Sequence, residues 1–347
     1  MKSKLLAGAA ALLLPAFFFS CKNSGNVKPS ATGARFELLI VMDDDLWHAP
    51  AGQAVFNLFD QDTPGLPQSE PLFKITHVKQ ADFSDLLKPS RNVLYVDVAA
   101  DRYTQAKIAY AENYYSYPQC FVRITAPSDS ALYDAITTHG DDVAERFIVA
   151  ERERAMMFNK QDRNEKAVKE VEEHFGIQVD IPIDLKLSTV RDNFYWITNN
   201  SGYIRQDLVI YTYPYTDPNT FTYEYLTAKR DSVMRANIPG EVEGSYMGTE
   251  WKYARPEMQE ITVNGEYAAE IRGLWKMIGG GSMGGPYYSL TRLDEVNQRV
   301  VTIEGFVFAP ATNKRNAIRA LEAVAHSMRL PQDVNVIGEV TVTGEGE

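Results

Sequence analysis

Cysteine is nearly absent from this chain: Cys21 and Cys120 are the only two in 347 residues. A framework of disulfides is therefore excluded, and if Cys21 carries a lipid no internal disulfide can form at all. Histidine is scarce as well. None of the five falls in an H-x3-H or HExxH spacing, which removes the usual zinc and haem patterns, and no metal or cofactor is expected. Basic residues are in deficit, with 35 Lys and Arg against 46 Asp and Glu, and no basic cluster stands out. Neutralising phosphates needs a Lys/Arg surface, so nucleic-acid binding is not expected. The apolar run Leu5–Phe19 has only 15 residues and contains Pro15. A helix crossing the hydrocarbon core of a bilayer needs about 20.

That short run has a different meaning. Lys2 and Lys4 precede it, and Ser20 and Cys21 follow it. A basic start, a short apolar core and a small residue before the cut describe a secretory signal. A cysteine directly after the small residue points to a lipoprotein. Residues 1–20 are read as the signal and Cys21 as the acylated first residue of the mature protein. Several acyl chains on one cysteine hold firmly, since each buried CH2 contributes about 0.8 kcal/mol. Lys22-Asn23-Ser24-Gly25 lacks both an aspartate after the cysteine and an acidic run. The expected location is the outer membrane, with the body in the periplasm; the expected partners are the membrane, through the lipid on Cys21, and an unknown envelope ligand or protein. Residues 21–34 are polar and Gly/Pro-containing, which reads as a tether.

Two domains are expected from the length, at about 150 residues each. Residues 35–158 alternate strand and helix signals, giving an α/β layer structure. Strands are expected over 36–42, 72–78, 92–98 and 119–125. Helices are expected at Phe83–Leu87 and over 101–113, and a further helix from Ser128 or Asp129 is expected to break at Gly140. Residues 159–331 read as an α+β domain, a mainly antiparallel sheet covered by helices. Its helices are placed at 160–175, stopped by Gly176, at a segment capped by Thr220, and at 318–328. Its strands are placed over 177–187, 193–198, 207–215, 251–263, 267–278, 287–293 and 299–309. The fold class is thus mixed α+β in two layered domains, followed by a loose tail at 332–347.

No catalytic residue is assigned. Gly280-Gly281-Ser282-Met283-Gly284 fits G-x-S-x-G, and Asp294 and His326 follow in hydrolase order. A nucleophile elbow must lie between a strand and a helix, whereas strand-like residues follow this one. Arg272 and Trp275, beside the glycine loop, suit an anionic or aromatic ligand, with Gly284, Gly285, Glu243, Ser245 and Tyr246 nearby. Tyr211, Tyr213 and Tyr215 share one strand face and are expected to pack beneath a helix, hydroxyls toward solvent. Cys120 reads as a buried small hydrophobe. Asp43-Asp44-Asp45 with His48, and His139 with Asp141 and Asp142, are explained by helix starts as well as by a metal.

A series of short motifs runs in order along the chain: Pro67-Gln68-Ser69-Glu70-Pro71, Tyr117-Pro118-Gln119, Asn193-Phe194-Tyr195-Trp196, Ile238-Pro239-Gly240 and Glu243-Gly244-Ser245-Tyr246-Met247. Arg272-Gly273-Leu274-Trp275, Met283-Gly284-Gly285-Pro286, Glu304-Gly305-Phe306-Val307, Ala309-Pro310 and Lys314-Arg315 complete it. This series resembles an uncharacterised lipoprotein family of Bacteroidetes, domain of unknown function 4837. The resemblance implies an envelope location and a two-part body, and no activity. A non-catalytic role in ligand binding or envelope assistance is the leading expectation. A hydrolase of an envelope polymer, using Ser282 or an acidic pair, and a structural partner-binding module are the alternatives.

Overall fold

The structure, a computed structural model, describes residues 28–334. The signal, Cys21, most of the tether and residues 335–347 lie outside the described residues. None of the described helices is long and apolar enough to cross a membrane.

The first unit opens with β1 (Glu37–Val41), α1 (Asp44–His48), α2 (Pro50–Asp60), β2 (Lys74–Val78) and β3 (Asn92–Val98). It continues with β4 (Lys107–Glu112), β5 (Cys120–Ala126) and α3 (Asp129–Gln161). Its five strands run in the order β2-β1-β3-β5-β4, parallel except for the edge strand β4. Buried on both faces, the central strands are nearly continuous in apolar residues. Leu38 and Ile40 pack under α2 and α3 with Val55, Phe59 and Phe147. Leu39 and Val41 point the other way, toward Phe83, Leu87 and Tyr115.

Three expectations fail here. Phe83–Leu87 forms turns instead of a helix. Residues 101–113 form no helix, because Lys107–Glu112 pairs antiparallel with β5. Helix-forming Ala, Lys and Glu were overruled by the free edge of β5. The helix also runs unbroken through Gly140. A Cβ there would lie 3.1 Å from Leu58 of α2, so this glycine lets the two helices approach closely.

The second unit contains α4 (Glu165–Phe175), β6 (Leu187–Arg191), β7 (Phe194–Thr198), β8 (Arg205–Pro214) and α5 (Tyr223–Asn237). Then come β9 (Tyr246–Thr249), β10 (Glu257–Val263), β11 (Glu266–Ile278), β12 (Gly284–Asp294), β13 (Arg299–Phe308) and α6 (Arg315–His326). The sheet order is β10-β11-β12-β13-β8-β7-β6, antiparallel throughout, with β9 also on β11. Gly176 closes α4 in the left-handed conformation. One sheet face packs on α4 and α6, the other on α5. The chain is therefore a mixed α+β protein with two sheets.

Residues 177–185 bury Ile177, Val179 and Ile181 in alternation but make isolated bridges only, since Pro182 cannot donate to a ladder. Thr222, not Thr220, caps α5, accepting from the Tyr225 amide. Strand β10 starts at Glu257, after a turn and Pro256. Asp333, at the expected start of the loose tail, pairs with Arg292 at 2.6 Å.

The two units are joined by a cap across the boundary. Helix α6 has no cap from its own residue Lys314. Glu70, from the loop between α2 and β2, accepts from the Lys314 amide at 2.6 Å and the Arg315 amide at 2.9 Å. Gln68 accepts from Lys314 Nζ at 2.6 Å, and Arg315 donates to the Pro71 carbonyl at 2.6 Å.

Candidate functional site

Strand β11 supplies both of the residues singled out for binding, and it separates them. Successive strand residues face opposite ways, so positions three apart lie on opposite faces. Arg272 points toward α6 and the first unit, while Trp275 points toward the α5 side. Each lines a different cavity.

The cavity at Arg272 is a cleft of about 510 Å3 between the units. Its inner wall is a charged cluster. Arg272 Nε donates to Glu270 at 2.8 Å and its Nη2 lies 3.0 Å from Glu322. Arg319 reaches Glu322 at 2.8 Å, and Arg152, from α3 of the first unit, reaches it at 3.0 Å. Burial alone would raise the Glu322 carboxyl, but Arg272, Arg319 and Arg152 outweigh it and hold the group well below the usual range. Burial, reinforced by Arg152, pushes His326 down to about 3. Arg152 Nη1 lies 3.2 Å from Nε2 of the neutral His326 ring. The Tyr288 hydroxyl, 2.8 Å from His326 Nε2, donates to Glu270 at 2.9 Å.

Glu270, Glu322 and His326 bring ligand atoms within 4.8 Å of one another, a geometry with the outline of a metal site. The charges argue otherwise. A divalent cation there would face three guanidinium groups that already satisfy both carboxylates. The cluster is a tie between the units, with Arg152 on one side and Glu322 on the other.

The cavity at Trp275 is smaller, about 340 Å3, and mainly apolar. Trp196, Met247, Met277, Met283, Phe306 and Phe308 line it with Trp275. The indole of Trp275 is buried, donates to the Val307 carbonyl at 3.2 Å and meets Phe306 edge-on at 5.5 Å. One wall is the loop Gly279-Gly280-Gly281-Ser282, whose three glycines all have positive φ (84°, 146° and 92°). The polar end is Asp207, which accepts from Arg205 at 2.9 Å and from Trp196 Nε1 at 2.9 Å. Burial raises the Asp207 carboxyl against the pull of Arg205. An apolar cavity with a few convergent polar groups is the usual form of a small-molecule site.

The comparisons with known proteins can now be set beside this geometry. Residues 162–327 match the family model described as Domain of unknown function (DUF4837). The second unit belongs to that family. Residues 31–160 match a second domain of unknown function, DUF8532. No curated protein matches the chain. Among solved structures, a mutant of the protein Mog1 is 11% identical with a TM-score of 0.29, covering 44% of this chain and 90% of that one. The Saccharomyces cerevisiae Ran-binding protein Mog1p is 13% identical with a TM-score of 0.26, covering 48% and 87% respectively. Neither score reaches a shared fold.

Within the DUF4837 unit the remaining candidates disperse. Gly284 and Gly285 are strand residues of β12, paired with Lys276 and Trp275, not loop residues. A Cβ on Gly285 would lie 2.0 Å from the Val307 carbonyl oxygen and 3.3 Å from the Trp275 indole nitrogen, so this glycine makes room for the indole. Glu243 is exposed on a turn. Ser245 is buried and donates to the Val242 carbonyl at 2.5 Å. Tyr246 is half-buried beneath Arg235, 4.9 Å from its ring.

Ser282 lines the Trp275 cavity, His326 lines the cleft on the other face of the sheet, and buried Asp294 binds Arg299 at 2.9 Å. The three do not meet. Tyr211 and Tyr213 pack beneath α5, but the Tyr213 hydroxyl is buried without a hydrogen-bond partner among the described residues instead of reaching solvent. In the first unit Cys120 is buried, and burial pushes its thiol up to about 11. Asp44 pairs with Lys79 at 3.1 Å, and its carbonyl oxygen lies 2.7 Å from His48 Nδ1. His139 and Asp142 border an open depression beside β4. Sequence reasoning missed Trp196, Met247, Met277 and Phe308, whose signal is an excess of aromatic and thioether side chains at strand ends near the glycine loop.

Proposed function

We propose that this is a lipid-anchored periplasmic protein of the outer membrane whose DUF4837 unit holds a small, mainly apolar ligand without catalysis. The observation that carries the ligand reading is the cavity of about 340 Å3 walled by two tryptophans, three methionines and two phenylalanines under a glycine loop. Its volume is within the roughly 300–1,000 Å3 of ligand pockets. Methionine side chains adapt to ligand shape, and the Asp207–Arg205–Trp196 group offers one polar end. Against hydrolysis, no histidine lines the cavity that holds Ser282. The anchor reading is supported by Ser20-Cys21 after a short apolar run.

The test is titration of the full chain with the apolar probe N-phenyl-1-naphthylamine. Saturable fluorescence enhancement is expected, lost in a Met277→Gln/Met283→Gln double variant that still melts within a few degrees of wild type. Enhancement unchanged by that variant removes the site. Fractionation of cells carrying Cys21→Ser tests the anchor, and mass spectrometry showing an unmodified Cys21 in the wild type ends it.

A further inference from the structure

Helix α5 crosses one face of the second sheet and leaves a cavity at each end. Its C-terminal end, Ile238-Pro239, borders the Trp275 cavity. At its N-terminal end lies a larger open groove of about 870 Å3. Residue 215, in this groove, and residue 205, in the other cavity, bracket β8, which spans roughly 30 Å, so the two sites are distinct.

Four aromatic rings line the groove: Tyr215, Phe221, Tyr223 and Tyr267. Three of them form a connected set, with Tyr215–Phe221 centroids at 6.2 Å and Phe221–Tyr267 at 5.5 Å, the latter pair edge to face. Tyr267 is 42% exposed, so ring surface is open to a ligand. Four carboxylates stand among the rings: Glu224, Glu260, Glu266 and Glu295. All are exposed, and none has an ion pair among the described residues. That sets them apart from Glu37, Asp97 and Glu304, each of which has its own cation. Gln332, also on the wall, has its amide oxygen buried without a hydrogen-bond donor among the described residues. Among the groove's tyrosines, Tyr223 feels the charge of Arg255.

Aromatic faces attract cations, and free carboxylates beside them attract the same charge. We propose that this groove binds an extended peptide segment bearing Lys or Arg side chains. The volume exceeds the needs of a single ammonium group, and the rings and carboxylates come from several separate segments, among them α5, β10 and β11, matching a run of side chains. The chain's own residues 335–347 contain three glutamates and no Lys, Arg or His, so their charge opposes the groove. The inference is independent of the ligand in the Trp275 cavity.

Fluorescence anisotropy of labelled tetra-arginine with the full chain tests it, beside tetraglutamine and free arginine amide. The arginine peptide is expected to bind, to weaken as salt rises, and to lose about tenfold in affinity with Tyr267→Ala or Glu260→Gln/Glu266→Gln. Binding of the naphthylamine probe stays unchanged in those variants and shows that they are folded. Equal binding of tetraglutamine, or peptide affinity untouched by both variants, overturns the proposal. So does arginine amide binding as tightly as the peptide, which would assign a small cation instead.

Discussion

Replacing Glu70 by alanine tests whether one side chain of the first unit holds a helix of the second. Glu70 is 3% exposed and accepts from two backbone amides at the start of α6, at 2.6 and 2.9 Å. Those amides have no other cap, since Lys314 supplies none. Losing a side-chain cap costs about 1 kcal/mol. Losing a negative charge at a helix N-terminus costs about 0.3–1 kcal/mol. Leaving a buried amide unsatisfied adds about 1–3 kcal/mol, partly offset if water enters. The expected loss is therefore about 2–4 kcal/mol, or roughly 5–12 °C in melting temperature for a unit of this size. Asp85→Ala is the control, because Asp85 pairs with Lys88 on a 95% exposed side chain and should cost under about 0.5 kcal/mol. Urea titration followed by far-UV circular dichroism measures both. If Glu70→Ala costs no more than Asp85→Ala, the cap across the boundary is not what secures α6.

Arg230→Met leaves Glu304, which is fully buried, without the three donor contacts of 2.7–3.1 Å it now receives, and should cost about 3–5 kcal/mol; adding Glu304→Leu should recover most of that in the same urea assay. Gly285→Ala should destabilise by at least about 2 kcal/mol, read by thermal melting, because its methyl meets the Val307 carbonyl oxygen at 2.0 Å. His326 has a folded pKa of about 3 against an ordinary 6.5, so the unfolded chain takes up its proton first as pH falls. Its contribution is complete above about 6.5 and is lost progressively toward pH 3, and NMR should show its ring still neutral at pH 5 while His326→Gln flattens that part of the stability profile. Cys120 should be inert to a thiol reagent at neutral pH and react only after unfolding, since burial both shields it and raises it to about 11.

The parts of the fold legible in the sequence were those where one local signal had no rival. Strand β3 starts and ends where its apolar run does, and Gly176 ends α4 in the conformation that glycine favours. Two of the errors share a cause. Lys107–Glu112 has ordinary helical composition and became a strand because β5 offered it an edge. Gly140 has the look of a helix breaker and instead admits Leu58. Residues 177–185 alternate like a strand because alternate side chains are buried, yet Pro182 bars them from a ladder. In the first two cases a partner distant in sequence decided the outcome, and nothing within the window carried its trace; in the third the local signal was Pro182 itself.

The same distinction explains what the candidate site yielded. Arg272 and Trp275 both proved to line cavities, but a spacing of three on a strand sends them through opposite faces of the sheet. The spacing was visible before the structure; what it meant depended on a strand running unbroken from Glu266 to Ile278. The short motifs along the chain gain a physical reading in the same way. Gln68 and Glu70 meet Lys314 and Arg315, Glu304 meets Arg230, Gly305 lies under Leu321, and Gly285 makes room for Trp275. Most of these are contacts between elements far apart in sequence, so they specify architecture more than chemistry. The Trp275 cavity draws about half of its wall from them, including Trp196, Ile238, Met247, Trp275, Met283 and Phe306. The groove at the other end of α5 does not: Tyr215, Phe221, Tyr223, Tyr267, Glu260 and Glu266 all fall outside the ordered motifs. The motifs therefore serve both the frame and the Trp275 cavity, while the aromatic and acidic groove is built from residues beside them.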